Sequence, residues 1–87
     1  MPMTDTARLA MLQAVADREV WYTPGRGVLN TSTGRDVLAE ATRLRRRERL
    51  VDVDFDAERL GSYPYVLTPA GQAKLDAGRP PGTNVRK

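Results

Sequence analysis

At 87 residues the chain has room for one domain with a thin core, which leaves little space for a deep enzyme cleft with its own supporting shell. It contains no cysteine and no histidine, so disulfides, cysteine-based zinc sites, the commonest metal ligand and the usual general base are all removed. The formal charge is +3, and of the 14 Lys and Arg residues only Lys74 and Lys87 are lysine, which favours a phosphate-bearing partner or simply a GC-rich coding sequence.

From the N-terminus, Asp5 to Arg18 reads as a first helix. Thr4 is placed to cap it, Asp5 suits the positive end of its dipole, and Leu9, Leu12, Val15 and Ala16 recur at helical spacing with Met11 near the edge of that stripe. Val20–Thr23 and Val28–Thr31 are β-prone pieces around Pro24-Gly25-Arg26-Gly27, the pattern of a short hairpin or of a strand followed by an ordered loop. With few aromatic residues available, Trp21 is expected in the core rather than as an exposed hot spot.

A second helix is expected from Thr33 as N-cap, with Asp36 three positions on completing a box-like pair. Val37, Leu38, Ala41 and Leu44 make its apolar stripe, and Arg35, Asp36, Ala39, Arg43 and Arg46 its opposite face, with Arg47 on the flank. Leu50 to Phe55 then alternates with period two, placing Val51, Val53 and Phe55 on one side and Asp52, Asp54 and Asp56 on the other. Tyr63–Leu67 is the returning strand, and Pro64 predicts that it lies at a sheet edge. Thr68 and Pro69 open a last short helix ending near Ala77, and Arg79 to Lys87 reads as a basic disordered tail. The domain is thus residues 1–78 and the tail 79–87. No window approaches the ~18 apolar residues of a membrane span and the start of the chain lacks a signal-peptide core, so a cytoplasmic location is expected.

Two local patterns resemble winged helix-turn-helix proteins of the MarR and PadR type. One is Arg43-Leu44-Arg45-Arg46-Arg47-Glu48-Arg49-Leu50-Val51, similar to a recognition-helix end running into a wing. The other is Leu67-Thr68-Pro69-Ala70-Gly71 followed by Leu75, similar to a wing exit. The resemblance covers about residues 31–77 and implies an α+β winged-helix domain of helix, strand or hairpin, helix, two-stranded wing and short helix. It departs from the family twice. Glu48-Arg49 stands where a glycine is usual before leucine-valine, and residues 23–29, where the first helix of the helix-turn-helix belongs, read Thr-Pro-Gly-Arg-Gly-Val-Leu and cannot be helical. In the family that missing helix crosses the phosphate backbone and steadies the recognition helix.

The resemblance makes double-stranded DNA the expected partner and transcriptional regulation or DNA architecture the expected role. Thr33, Arg35, Arg43 and Arg46 would reach phosphates or base edges, and Arg26 and Arg59 would make outer phosphate contacts. A homodimer would have to use the first helix or the wing edge, because no long dimerisation helix is visible. Asp52, Asp54 and Asp56 pull the other way, since an acidic ribbon repels phosphates, unless it pairs with arginines of the neighbouring helix or of a second subunit; otherwise it suits a basic protein partner. The alternative is therefore a protein-interaction module on the same scaffold, for example a phage-encoded modulator of a host protein. The alternating aspartates lack the glycine and terminal glutamate of a calcium loop, so no metal or cofactor is expected, and no set of residues suggests an enzyme.

Overall fold

The computed structural model describes residues 3–78, so the expected tail 79–87 lies outside the described residues. The element order is α1 (Asp5–Ala16), β1 (Val20–Thr23), β2 (Gly27–Asn30), β3 (Arg35–Asp36), α2 (Leu38–Arg46), β4 (Val51–Val53), β5 (Tyr63–Leu67) and α3 (Pro69–Gly78). The strands form one antiparallel sheet in the order β3-β2-β1-β5-β4. The chain is therefore α+β, with three helices and a five-stranded sheet. Among the described residues no helix is long and apolar enough to cross a membrane.

Helix α1 starts as its sequence dictates, with the Thr4 hydroxyl accepting from the Ala7 amide at 3.1 Å. It ends two residues earlier than the absence of glycine suggests. Arg18 takes a left-handed conformation (φ 61°), the Arg18 amide donates to Val15 O and the Glu19 amide to Ala14 O, the closing pair of a Schellman motif. The reversal also sets Trp21, whose indole N–H donates to Arg18 O at 2.8 Å.

The Pro-Gly segment forms the hairpin that its residues imply. Arg26 N donates to Thr23 O at 2.9 Å, with proline in the first central position of the turn and Gly25 at φ 82° in the second, the pattern of a type II turn. A second reversal follows and displaces the expected start of the next helix. The Asn30 side chain accepts from the Ser32 and Thr33 amides, Gly34 (φ 74°) turns the chain back, and Arg35 and Asp36 pair with Asn30 and Leu29. Thr33 is consequently a turn residue and not a helix cap, and Arg35 lies on β3 and not on a helix. Helix α2 begins at Leu38, where the Asp36 carboxylate accepts the Leu38 amide at 2.9 Å.

Strand β5 is interior, not an edge, with Pro64 opposite Trp21 of β1. The N–H and C=O of one strand residue point to the same side. The Pro64 carbonyl accepts from Asp54 on the β4 side, so the missing donor falls just beyond the end of β4 and costs the β1 ladder nothing. Strand β4 stops at Val53, because the Asp54 side chain accepts the Asp56 amide and closes a turn. The three aspartates therefore do not line one strand.

Register places Val20, Tyr22, Val28, Tyr65, Val51 and Val53 on one sheet face. That face forms the core with Leu12 and Val15 of α1, Ala41 and Leu44 of α2, and Leu75 of α3. Val37, the N-cap, is buried as expected, whereas Leu38, the first residue of α2, is 47% exposed. The opposite face carries Trp21, Leu29, Pro64 and Val66, of which only Pro64 is fully buried. Trp21 is thus half-buried outside the helix-covered core, and Tyr22 takes the inward position instead.

The two motif segments meet at Leu50. Its amide donates to Leu44 O, its carbonyl accepts from the Thr68 amide at 3.1 Å, and the Thr68 hydroxyl donates to Arg49 O at 2.8 Å. The same hydroxyl accepts from the Gly71 amide, so Thr68 caps α3 while tying it to the end of α2. Gly71 packs so closely that an added Cβ would fall on the Leu50 carbonyl, a backbone group with no rotamer to yield. Gly71→Ala should cost about 2–3 kcal/mol and lower the melting temperature by roughly 10–20 °C in a circular-dichroism melt. Gly78→Ala, whose methyl meets only the flexible Leu9 side chain, should cost less. Equal losses would remove the special role of the Leu50 contact.

Candidate nucleic-acid interface

The arginines of α2 divide by what holds them. Arg43 donates to Glu48 at 3.2 Å, and the same carboxylate receives both Nε (2.6 Å) and Nη2 (3.1 Å) of Arg8 from α1. The Arg8 and Glu48 side chains are 13% and 21% exposed, so this fork ties α1 to the end of α2 in a partly dry setting. The hydrogen bond from Arg8, followed by that from Arg43, holds the Glu48 carboxyl below the ordinary glutamate range against the opposing effect of burial. Arg45 donates to Asp52 at 2.9 Å and lies over the Phe55 ring at 6.0 Å. The backbone amide of Val53, then Arg45, holds the Asp52 carboxyl low.

Arg46, Arg47 and Arg49 are different. Among the described residues none of the three has a carboxylate partner, and all are exposed. Arg46 lines three clefts at once. A groove of about 780 Å³ runs between α1 and α2 past Met3, Ala7 and Ala39 to Arg43, Arg46 and Arg47. A notch of about 470 Å³ lies between Arg45, Arg46, Arg49 and Thr68. A pocket of about 200 Å³ opens against the sheet beside Tyr22, Phe55 and Tyr65. Arg49 takes the left-handed backbone (φ 56°) that a glycine would take more cheaply, and Glu48 beside it receives the fork from α1.

The residues singled out from sequence therefore separate. Arg43 and Arg46 stand together on α2, three residues apart, with Arg43 engaged and Arg46 free of ion pairs among the described residues. Thr33 and Arg35 lie on the β2–β3 reversal and line the far end of the α1–α2 cleft with Asn30 and Glu40. Arg26, in the β1–β2 turn, and Arg59, before β5, sit at the same end of the sheet, where the Thr23 and Ser62 hydroxyls bond at 2.7 Å. Arg59 N and O pair with Ser62, which leaves its side chain outside.

Sequence reasoning passed over the ring cluster of Tyr22, Phe55 and Tyr63. The signal was present: continuing the pairing of Val51 with Leu67 and Val53 with Tyr65 by two residues sets Phe55 opposite Tyr63. Phe55 is nevertheless 54% exposed, because the strand has ended before it and the Arg45 guanidinium over its ring covers it only in part. Compared with models of protein families, with curated proteins and with solved structures, the chain has no match.

Glu48 offers a test of the α1–α2 fork. Its folded value lies below the ordinary 4.5, so its contribution is complete above about pH 5 and is lost as pH falls through the folded value. Glu48→Gln should therefore melt below the wild type at neutral pH, and the gap should narrow as the pH is lowered below the ordinary glutamate value of 4.5. A gap that persists unchanged in acid would mean that shape, not charge, is what Glu48 supplies.

Proposed function

We propose that the chain is a small winged-helix domain that binds double-stranded DNA, with the C-terminal end of α2 as the contacting element. The reading follows the order of helix, hairpin, helix, wing and helix, and the docking of the two motif segments on one another at Leu50, Thr68 and Gly71. The observation that carries the DNA contact is Arg46, an exposed guanidinium without an ion pair among the described residues, flanked by Arg47 and Arg49. Three cations within one turn of a helix end suit phosphates spaced along a strand, and such contacts supply most of the affinity of a sequence-tolerant binder. Arg43 and Arg45 contribute less in this scheme, since their charge is already matched by Glu48 and Asp52. Arg26 and Arg59 would meet phosphates farther along the duplex. Transcriptional regulation and DNA architecture are the roles that fit such a binder.

A second reading has an observation of its own. Leu60 is 100% exposed in a left-handed backbone (φ 52°) and neighbours Trp21 and Leu29, which is 40% exposed, across a shallow cleft. An apolar patch of this kind favours a protein-interaction module.

Fluorescence anisotropy with a short mixed-sequence duplex separates the two. Binding should be measurable at about 50 mM salt, and Arg46→Ala with Arg47→Ala should weaken it and reduce the log–log salt slope by about 1.8, or ~0.9 per lost phosphate contact. Lys74→Ala on α3 should leave both unchanged. No binding at low salt would remove the DNA reading and leave the Trp21–Leu29–Leu60 face as the functional surface.

A further inference from the structure

The pocket between α2 and the sheet carries more than charge. Tyr22 and Tyr63 stack with centroids 6.3 Å apart at 28°, Phe55 tilts onto Tyr63 at 5.1 Å, and it meets Tyr22 edge-on at 6.4 Å. Two large apolar side chains that the fold leaves open, Phe55 at 54% and Leu38 at 47%, both line this pocket. Tyr65, 3% exposed, also lines it. Among the described residues its hydroxyl has no hydrogen-bond partner. A buried phenol with no protein partner is satisfied by water or by a polar atom of a ligand in the pocket it lines. Arg46 also lines the pocket, and the paired Arg45 lies over the Phe55 ring at 6.0 Å.

These features select among occupants. An aliphatic side chain would fill the space and leave the Tyr65 hydroxyl unmatched. A carboxylate would suit Arg46 and make no use of the rings. A nucleobase offers a flat π-face for Phe55, polar edge atoms for the Tyr65 hydroxyl, and an attached phosphate for a lining cation. We infer that the pocket holds one unstacked base of a DNA strand, ring against Phe55 and edge at Tyr65, with its phosphate at Arg46. This rests on the DNA reading above and deepens it. The duplex contact of Arg46 and Arg47 would be joined by a seat for a base that has left its stack, the combination of cationic track and aromatic platform used for single strands.

The test compares a fluorescein-labelled oligothymidylate with an abasic strand of equal length, which carries the same phosphates and no bases. The oligothymidylate should bind roughly 5- to 150-fold more tightly, the range of one stacked base. Phe55→Ala should abolish that preference while leaving duplex affinity and its salt slope in place. Tyr65→Phe should reduce the preference without lowering the melting temperature, because the hydroxyl has no protein partner to lose. Equal affinity for the two strands, or duplex binding with no single-strand binding, would overturn the base seat and leave the duplex reading standing. Absence of binding to every DNA would overturn both and leave the ring cluster to a protein partner.

Discussion

The contact of Gly71 with the Leu50 carbonyl is the constraint around which the rest of the molecule is arranged. One residue, Leu50, closes α2 through Leu44, opens β4 through its neighbour Val51, and receives the end of β5 through Thr68. Only a residue without a side chain lets α3 come this close to that carbonyl. The Thr68 hydroxyl, donating to Arg49 O and accepting from Gly71 N, satisfies the helix start and the chain crossing with one oxygen. In a domain too small to have a deep core, a polar joint of this kind does part of what packing does elsewhere. It also sets where the last turn of α2 points, and with it the direction of Arg46 and Arg47.

Electrostatics then decides which arginines are available. Five of them lie between Arg43 and Arg49, and a sequence reading treats them as one basic run. The fold divides the run with two carboxylates, Glu48 taking Arg43 together with Arg8 and Asp52 taking Arg45. Asp52, the one aspartate of the expected acidic ribbon that lies within β4, is in this way turned from a repulsive charge into a clamp on a neighbouring arginine. The matched arginines hold elements together at little net field, while the unmatched ones carry the local surplus of positive charge.

What was legible in the sequence follows from how local each signal is. The Thr4 cap, the Pro24-Gly25 turn and the Thr68-Pro69 start are decided within three or four residues, and each stands as its side chains require. The end of α1 was not legible, because Arg18 occupies a left-handed position that normally announces itself by glycine. The start of α2 was misplaced because Thr33 imitates a cap, while Asn30 and Gly34, three residues upstream and one downstream of it, commit the chain to a reversal. Pro64 read as an edge marker since the rule counts missing donors and not the side to which they point. Of the candidate site, Arg46 was visible as an exposed helix residue. The engagement of Arg43 by Glu48 and Arg8 was not, because Arg8 and Glu48 are 40 residues apart in sequence.

The β1–β2 hairpin, in the segment where the resemblance to helix-turn-helix proteins would call for a helix, determines how α2 is supported. A helix in that position braces its partner from one side by apolar packing. Here β1 and β2 belong to the same sheet as β4 and β5, and α2 lies on β2 and β4 at once with Ala41 and Leu44 inward. The end of α2 is steadied on its other flank by the Arg8–Glu48 fork from α1. Two supports of different physical kind, an apolar seat and a charged fork, thus fix one short helix of nine residues. A helix of that length would be marginal by itself in water. Its position is imposed by the sheet and the fork, so the proposed contact through Arg46 inherits its geometry from residues far from it in sequence.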